Sequence, residues 1–383
     1  MAKKEALSVA FLFDDTLDSN DGVAQYVKTL GAWLTAQGHR VSYLVGETKM
    51  LDWAGGKVYS LAKNQKVVFN GNRLSIPRPA SKKRVKDVLD DTKFDVVHVQ
   101  VPYSPFLAQK VIERLDDNVA LVGTFHILPA GRLSRWGSRG LKIGYGKSLR
   151  RFDEIMSVSR PAADFARSHY GIASNVVPNV VELKRFKGTK PIAKNAPTIV
   201  FLGRLVDRKG CSFLLKSFKV LQQTNPNARL IIAGDGPERP KLQRFVEKNQ
   251  LGNSVKFLGY IKEEDKPAIL ASADVACFPS TGGESFGIVL IEAMAAGARV
   301  VLGGNNPGYA SVLGDQPELL IDPKNTLEFA KRLDGLLNDQ ARIEGLHDWQ
   351  VKEVERYDVN VVGAQILEVY RQAIAKRQTN RHN

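Results

Sequence analysis

The chain has 383 residues, 43% of them hydrophobic and 25% charged, with a formal net charge of +15. That length exceeds one ordinary core and predicts two domains, the composition is that of a soluble globular protein, and the charge favours an anionic partner: nucleotide, nucleic acid or acidic membrane surface. No apolar run of about 18 residues predicts a membrane-spanning helix. Two cysteines, Cys211 and Cys277, make neither a disulfide framework nor a metal cluster and fit a reducing cytoplasm.

The opening "MAKKEALSVAFLFDD" is basic and then apolar, as a secretion signal is, but Glu5 interrupts it, no small-residue cleavage site follows and acids come at once. A first β-strand is the better reading. Apolar runs at 7–13, 40–46, 94–100, 120–126 and 153–159 predict strands buried on both faces of a parallel sheet. Between them, "GVAQYVKTLGAWLTAQG" and "PFLAQKVIERL" carry apolar residues at helical spacing. The stretch 181–197, "VELKRFKGTKPIAKNAP", reads as a linker. A second series of strands follows at 198–204, 228–234, 255–259, 274–280 and 298–303, and beyond about residue 325 the pattern is wholly helical. The division is thus 1–180, 197–356 and a C-terminal helix at 357–383 that returns to the first domain, with a frayed tail "KRQTNRHN". Each half is a strand–helix alternation, the mark of a doubly wound α/β domain.

Ligands of such sheets bind beyond the carboxyl ends of the strands. After "TIVFLGR" comes "LVDRKG", which places Arg204, Arg208 and Lys209 on one strand-to-helix connection. A solvated basic loop accounts for them at some cost, because cations at a helix start oppose its dipole, and a bound diphosphate removes that cost. "GGESFGIVLIEAMAAG" at 282–297 places Ser285, Phe286 and Gly287 where backbone N–H groups at a helix start form an anion site. Glu284 would face whatever the phosphate carries, and Glu292, two turns on, can reach a hydroxyl pair such as a ribose. An ordinary N-terminal acid explains Glu284, and an exposed helix residue explains Glu292 poorly on so apolar a helix. His98 within "DVVHVQ" reads as buried structure, and Asp235 of "GDGPE" either nears a nucleotide or simply makes the turn.

The segments "FLGRLVDRKG", "AGDGPE", "FLGYI" and the E-x7-E stretch, with "FDVVHVQVP" and "VGTFH", resemble glycosyltransferase family 4 over nearly the whole chain, and within it the phosphatidylinositol mannosyltransferase type. The resemblance implies a GT-B fold: two Rossmann-like domains facing across a cleft, with C-terminal helices packing back across the linker. It implies a retaining, metal-independent hexosyltransferase that moves mannose or glucose from a nucleotide diphosphate sugar, of GDP-mannose or UDP-glucose type, to a lipid-linked or polyol acceptor. Arg204 and Lys209 would then hold the donor diphosphate, Glu284 the sugar hydroxyls and Glu292 the ribose, with the amides of 285–287 on the donor. Gly22 would cap the phosphates from the first domain, and His126, ending "VGTFH", would hold the hexose. Where the family often has two glycines, this chain has Asp21-Gly22, and Asp21 is expected to face the acceptor.

Two basic segments remain. "RPASKKRVKDVLDD" holds Arg78, Lys82, Lys83, Arg84 and Lys86, with Val85, Val88 and Leu89 at helical spacing. "GRLSRWGSRGLKIGYGKSLRR" at 131–151 mixes cations with Leu133, Trp136, Leu141, Tyr145 and Leu149. Either is a solvated surface or a site for anionic membrane lipid, which would make the protein peripheral on the inner face of the cell membrane. No nucleic-acid module and no metal motif is present. A dinucleotide oxidoreductase fails because no loop carries G-x-G-x-x-G. A GT-B transferase of soluble sugars or polysaccharides, a nucleotide-sugar epimerase and a silent nucleotide-sugar-binding protein stay as alternatives.

Overall fold

The computed structural model describes residues 6–19, 21–69, 72–77, 81–102, 107–126 and 148–382. They form two compact units: the described residues up to Val180 together with those from Val359 onward, and Val181–Asp358.

In the first unit, chain order is β1 (Ser8–Phe13), α1 (Gly22–Ala36), β2 (Arg40–Val45), β3 (Asp52–Trp53), β4 (Gly56–Ser60), β5 (Asn64–Phe69), β6 (Asn72–Pro77) and α2 (Lys82–Asp91). Then come β7 (Val96–Gln100), α3 (Leu107–Ile112), β8 (Ala120–Phe125), β9 (Glu154–Ser157), α4 (Arg160–Phe165) and β10 (Asn175–Val176). The main sheet runs β10-β9-β8-β7-β1-β2-β4-β3, parallel except for the antiparallel β3–β4 pair, while β5 and β6 make a separate hairpin. Every residue of β1, β7 and β8 is buried, which is why these strands read as unbroken apolar runs. β3 to β6 have no such run and escape the sequence pattern.

The second unit begins with α5 (Leu183–Phe186) and alternates β11 (Thr198–Leu202), α6 (Cys211–Thr224), β12 (Arg229–Ala233), α7 (Arg239–Lys248), β13 (Val255–Gly259) and α8 (Lys266–Ala271). It continues with β14 (Val275–Phe278), α9 (Ile288–Ala296), β15 (Val300–Gly304), α10 (Pro307–Leu313), β16 (Leu320–Ile321), α11 (Thr326–Asn338) and α12 (Gln340–Glu353). Its parallel sheet has the order β13-β12-β11-β14-β15-β16. Counted from each unit's first strand this is the doubly wound 3-2-1-4-5-6 order, and the first sheet repeats it with β4, β2, β1, β7, β8 and β9. The switch points therefore lie between β11 and β14 in the second unit and between β1 and β7 in the first.

Two expectations need correction. Residues 181–197 are not a free linker, because Val181 is buried and bridges Asp358, and Phe186 of α5 is buried as well. Nor does the tail fray: α13 (Val359–His382) runs through it. Val362, Ile366, Tyr370 and Ala373 of α13 join the core that α1 and β1 share, and Arg377 Nη2 holds the Asp153 carboxylate at 2.9 Å and the Arg151 carbonyl at 2.6 Å.

Candidate functional site

In the second unit the loops after β11 and β14 meet at the switch point. Thr281 N–H donates to the Arg208 carbonyl at 2.9 Å and Ser280 Oγ donates to the same oxygen at 3.1 Å. The approach requires glycine at 210, which sits at φ +74° with the Pro279 carbonyl where a Cβ would be. A single oxygen, Glu284 Oε1, then collects Arg208 Nη1 at 2.6 Å, Lys209 Nζ at 2.9 Å and Ser280 Oγ at 2.8 Å. Burial pushes the Glu284 pKa up, but Lys209 and Arg208 outweigh it and hold the carboxyl below its ordinary value. Glu284 is thus an ionised carboxylate between two cations. Arg208, present in the sequence reading only as one cation of three, is its closest partner; Arg204 lies exposed just past β11.

Glu284 leads directly into α9. Gly287, at φ +119°, starts the helix with no side-chain cap, and a Cβ there would lie 2.7 Å from the Tyr309 ring. A helix start without a side-chain acceptor leaves its amides to bind an anion. Phe286 is 3% exposed and meets Tyr357 edge-on at 5.6 Å, so its side chain anchors the loop and only its backbone is left for a ligand.

Glu292 of α9 is 8% exposed, which excludes the surface reading of that residue. Its Oε1 lies 3.6 Å from Lys266 Nζ of α8, while the same ammonium is 2.6 Å from Glu263. Burial raises the Glu292 pKa, Lys266 only partly offsets the rise, and Glu263 adds to it. Burial also opposes the Lys266 charge, yet Glu292 and Glu263 raise its pKa overall. The distances reconcile the two: Glu263 is the nearer counter-ion and holds the Lys266 charge, while the longer Lys266 contact offsets only part of the cost of burying Glu292. Arg185 of α5 extends the network to the Glu263 carbonyl at 2.7 Å. Lys266 and Glu263 went unnoticed in the sequence, where nothing in local spacing sets α8 against α9.

In the first unit Gly22 opens α1, as the first helical residue and not within the loop. Asp21 is exposed and caps the helix: its Oδ1 accepts from Val23 N–H at 2.9 Å and Ala24 N–H at 3.0 Å. His126 follows β8, 6% exposed, with Nε2 2.7 Å from Gln100 Oε1. Burial drives its pKa down to about 3. His98 is fully buried between Tyr370 and Thr124, as its place in a strand implies. Asp235 makes its turn, accepting from Gly236 N–H at 2.7 Å and pairing with Arg239 at 3.0 Å.

On α2, Lys82, Lys83, Arg84 and Lys86 are exposed. Its apolar residues are not available to a membrane, because Val85 is 1% exposed and Val88 and Leu89 pack on the same core. Leu149 likewise belongs to a core cluster with Phe125 and Phe165, and Arg151 ties down the carbonyls of Ile112 and Leu115. Arg78 and the rest of the second basic segment up to residue 147 lie outside the described residues. Among the described residues no three His, Cys, Asp or Glu side chains are grouped to hold a metal ion, and no helix is long and apolar enough to cross a membrane.

Residues 184–352 match the family described as Glycosyl transferases group 1, and residues 20–185 match Glycosyltransferase Family 4. A phosphatidyl-myo-inositol mannosyltransferase of Mycolicibacterium smegmatis is 31% identical over 366 residues, covering 93% of this chain and 91% of the relative. The chain belongs to the GT-B glycosyltransferases. Solved structures carry the same fold: a glycosyltransferase from Rickettsia africae superposes with a TM-score of 0.77 at 18% identity, covering 96% of this chain and 99% of that one. Anabaena Alr3699/HepE, in complex with UDP and glucose, superposes with a TM-score of 0.72 at 18% identity, covering 95% and 99%. In this glycosyltransferase the boundary between the two family matches, at 184–185, falls within α5, close to where the second unit begins.

Proposed function

We propose that this glycosyltransferase moves a hexose, of the mannose or glucose type, from a nucleoside diphosphate sugar to a hydroxyl of a lipid-linked or polyol acceptor, with retention at the sugar carbon. The observation that carries the reading is the Arg208–Glu284–Lys209 cluster beside the uncapped start of α9. In the transfer, the bond from the sugar C1 to the β-phosphate oxygen breaks and its electron pair leaves with the diphosphate. The acceptor oxygen bonds C1 from the same face, and its proton passes to the departing phosphate oxygen. Lys209, Arg204 and the amides of 285–287 stabilise the charge that develops there, work that fixed cations and helix amides perform where water is excluded. The three contacts of Glu284 fall on Oε1, so Oε2 is the atom assigned to the sugar hydroxyls. Glu292 takes the ribose, whose hydroxyls add donors to the one contact that Lys266 makes. Gly22 meets the phosphates and His126 the hexose.

Likeness to a protein named for transfer to phosphatidyl-myo-inositol supports a lipid acceptor, and the exposed cations of α2 suit an anionic surface. With its apolar face buried, α2 would attach by charge alone, worth about 1 kcal/mol per cation and screened by salt. The test supplies GDP-mannose or UDP-glucose with vesicles of acidic phospholipid and phosphatidylinositol. Replacing Lys82, Lys83, Arg84 and Lys86 with serine should cut vesicle co-sedimentation and transfer to lipid without changing nucleotide affinity. If the unaltered protein ignores acidic vesicles at low salt and glycosylates only soluble polyols or sugars, the lipid acceptor is wrong.

A further inference from the structure

The acids and bases around Glu292 form an alternating chain within the second unit. Glu292 Oε1 lies 3.6 Å from Lys266 Nζ, and Lys266 Nζ lies 2.6 Å from Glu263 Oε1. Glu263 Oε2 is in turn 3.5 Å from Arg185 Nη2, which also donates to the Glu263 carbonyl at 2.7 Å. Side-chain exposure grows outward along the chain, from 11% at Glu292 and 13% at Lys266 to 22% at Glu263 and 35% at Arg185. Glu263 stands on the loop that leaves the carboxyl end of β13, and α5, which carries Arg185, packs against α9. The chain therefore lies at the end of the sheet where ligands of this fold bind.

Packing alone does not call for four charges. Taking charges out of water is costly even when they pair, and apolar side chains of similar size hold α5, α8 and α9 together at least as well. The arrangement makes sense where the innermost carboxylate has to stay ionised. With Lys266 alone, two carboxylates would share one ammonium, and two like charges at one site drive one of them to take up a proton. Arg185 removes that excess. Its contacts fall on the carbonyl and Oε2 of Glu263, so Oε1 is the atom that Lys266 meets. The charges acting on Glu292 agree: Lys266 and Arg185 favour its ionised form, whereas burial and Glu263 oppose it. Phe186, buried beside Arg185, lies under the guanidinium with the ring centre 5.9 Å away, which fixes where Arg185 reaches.

We propose that Arg185 is a positioning residue for the nucleoside end of the donor: by sharing the charge of Glu263 it leaves Lys266 able to serve Glu292, so that Glu292 meets the ribose hydroxyls as an anionic acceptor. This rests on the role of Glu292 toward the ribose proposed above. A carboxylate accepts from two hydroxyls at once, whereas a protonated carboxyl gives up part of that capacity. Arg185 acts through Glu263 and Lys266, so its loss should be felt by ligands that carry a ribose and not by the diphosphate group alone.

Calorimetric titration of the full-length protein with GDP, UDP and inorganic pyrophosphate tests this, with thermal unfolding as the check on the fold. Arg185→Gln should weaken the nucleoside diphosphate about tenfold, the size of one weakened hydrogen bond, and leave pyrophosphate within about twofold. In transfer assays the donor KM should rise by a similar factor with kcat little changed. Removing the second acid as well, in Arg185→Gln/Glu263→Gln, restores one carboxylate to one ammonium and should return nucleoside diphosphate affinity to within about threefold. In a Glu292→Gln background, Arg185→Gln should cost no further affinity. An unchanged nucleoside diphosphate affinity in Arg185→Gln, an equal loss toward pyrophosphate, or losses that simply multiply in the Glu292→Gln background overturn the assignment of Arg185. Infrared difference spectra between the unaltered protein and Glu292→Gln at pH 7 keep the proposal open to refutation should Arg185→Gln fail to fold: an ionised carboxylate is expected, and a protonated carboxyl overturns it. An unchanged nucleoside diphosphate affinity in Glu292→Gln overturns instead the ribose role on which the proposal rests.

Discussion

The two units share a strand order yet treat the polar groups at their switch points in opposite ways. In the second, charges are kept and paired: Glu284 ionised between Arg208 and Lys209, Glu292 buried near Lys266. In the first, the groups in the corresponding place are buried and neutral, with His98, Gln100, Thr124 and His126 satisfied by one another and by Tyr370. A doubly wound sheet determines where a ligand can meet strand ends, but the side chains there decide what it can be. Paired cations with a carboxylate suit a diphosphate and its sugar. A neutral network suits uncharged hydroxyls, because it offers direction without a charge to desolvate.

The sharpest way to break the contrast is within the second unit. Glu284→Gln should lower transfer by about 10²–10³, the range seen when one fixed group facing a developing charge is lost, while nucleoside diphosphate affinity changes far less. Glu292→Gln should do the reverse, weakening the nucleotide itself through the ribose. Equal losses in turnover and in diphosphate affinity for both variants would remove the separation of roles.

Acid separates the units next. His98 and His126 both have folded pKa values near 3 against an ordinary 6.5, so between those values the unfolded chain binds more protons and the first unit loses stability as pH falls. Each histidine contributes a slope of up to about 1.4 kcal/mol per pH unit in that window. In the second unit the two carboxyls oppose each other. Glu284, with its pKa lowered, adds stability above the ordinary carboxylate range that is lost as pH falls through its folded value. Glu292, with its pKa raised, removes stability as pH rises through its own window. Hydrogen exchange at pH 5 and pH 7 should therefore show opening confined mainly to the first unit, and uniform loss of protection in both would contradict the buried neutral histidines.

Much of this was legible in the sequence. Apolar runs mark the central strands because those strands are buried on both faces, and the glycines and glutamates of 282–297 mark the loop at the second switch point. What escaped has a physical cause. The partner of Glu284 was sought in a ligand, whereas Arg208 and Lys209, about 75 positions away in the chain by the spacing of the two motifs, already hold it through the β11–β14 pairing. Lys266 reaches Glu292 only because α8 packs against α9. Asp21 looked like an unfavourable acid beside a diphosphate, but it caps α1. Gln100 was visible as a polar residue at a strand end; only the β7–β8 register places it beside His126.

Calorimetric titration of a bare nucleoside diphosphate into the unaltered protein, Lys209→Ala and His126→Ala tests the central division most directly. With the diphosphate held by the second unit's cations, Lys209→Ala should weaken binding by about 10- to 150-fold, the loss of one charge-assisted contact, and His126→Ala should stay within about twofold. Unchanged affinity in Lys209→Ala with its fold intact, or a comparable loss in His126→Ala, would contradict the account.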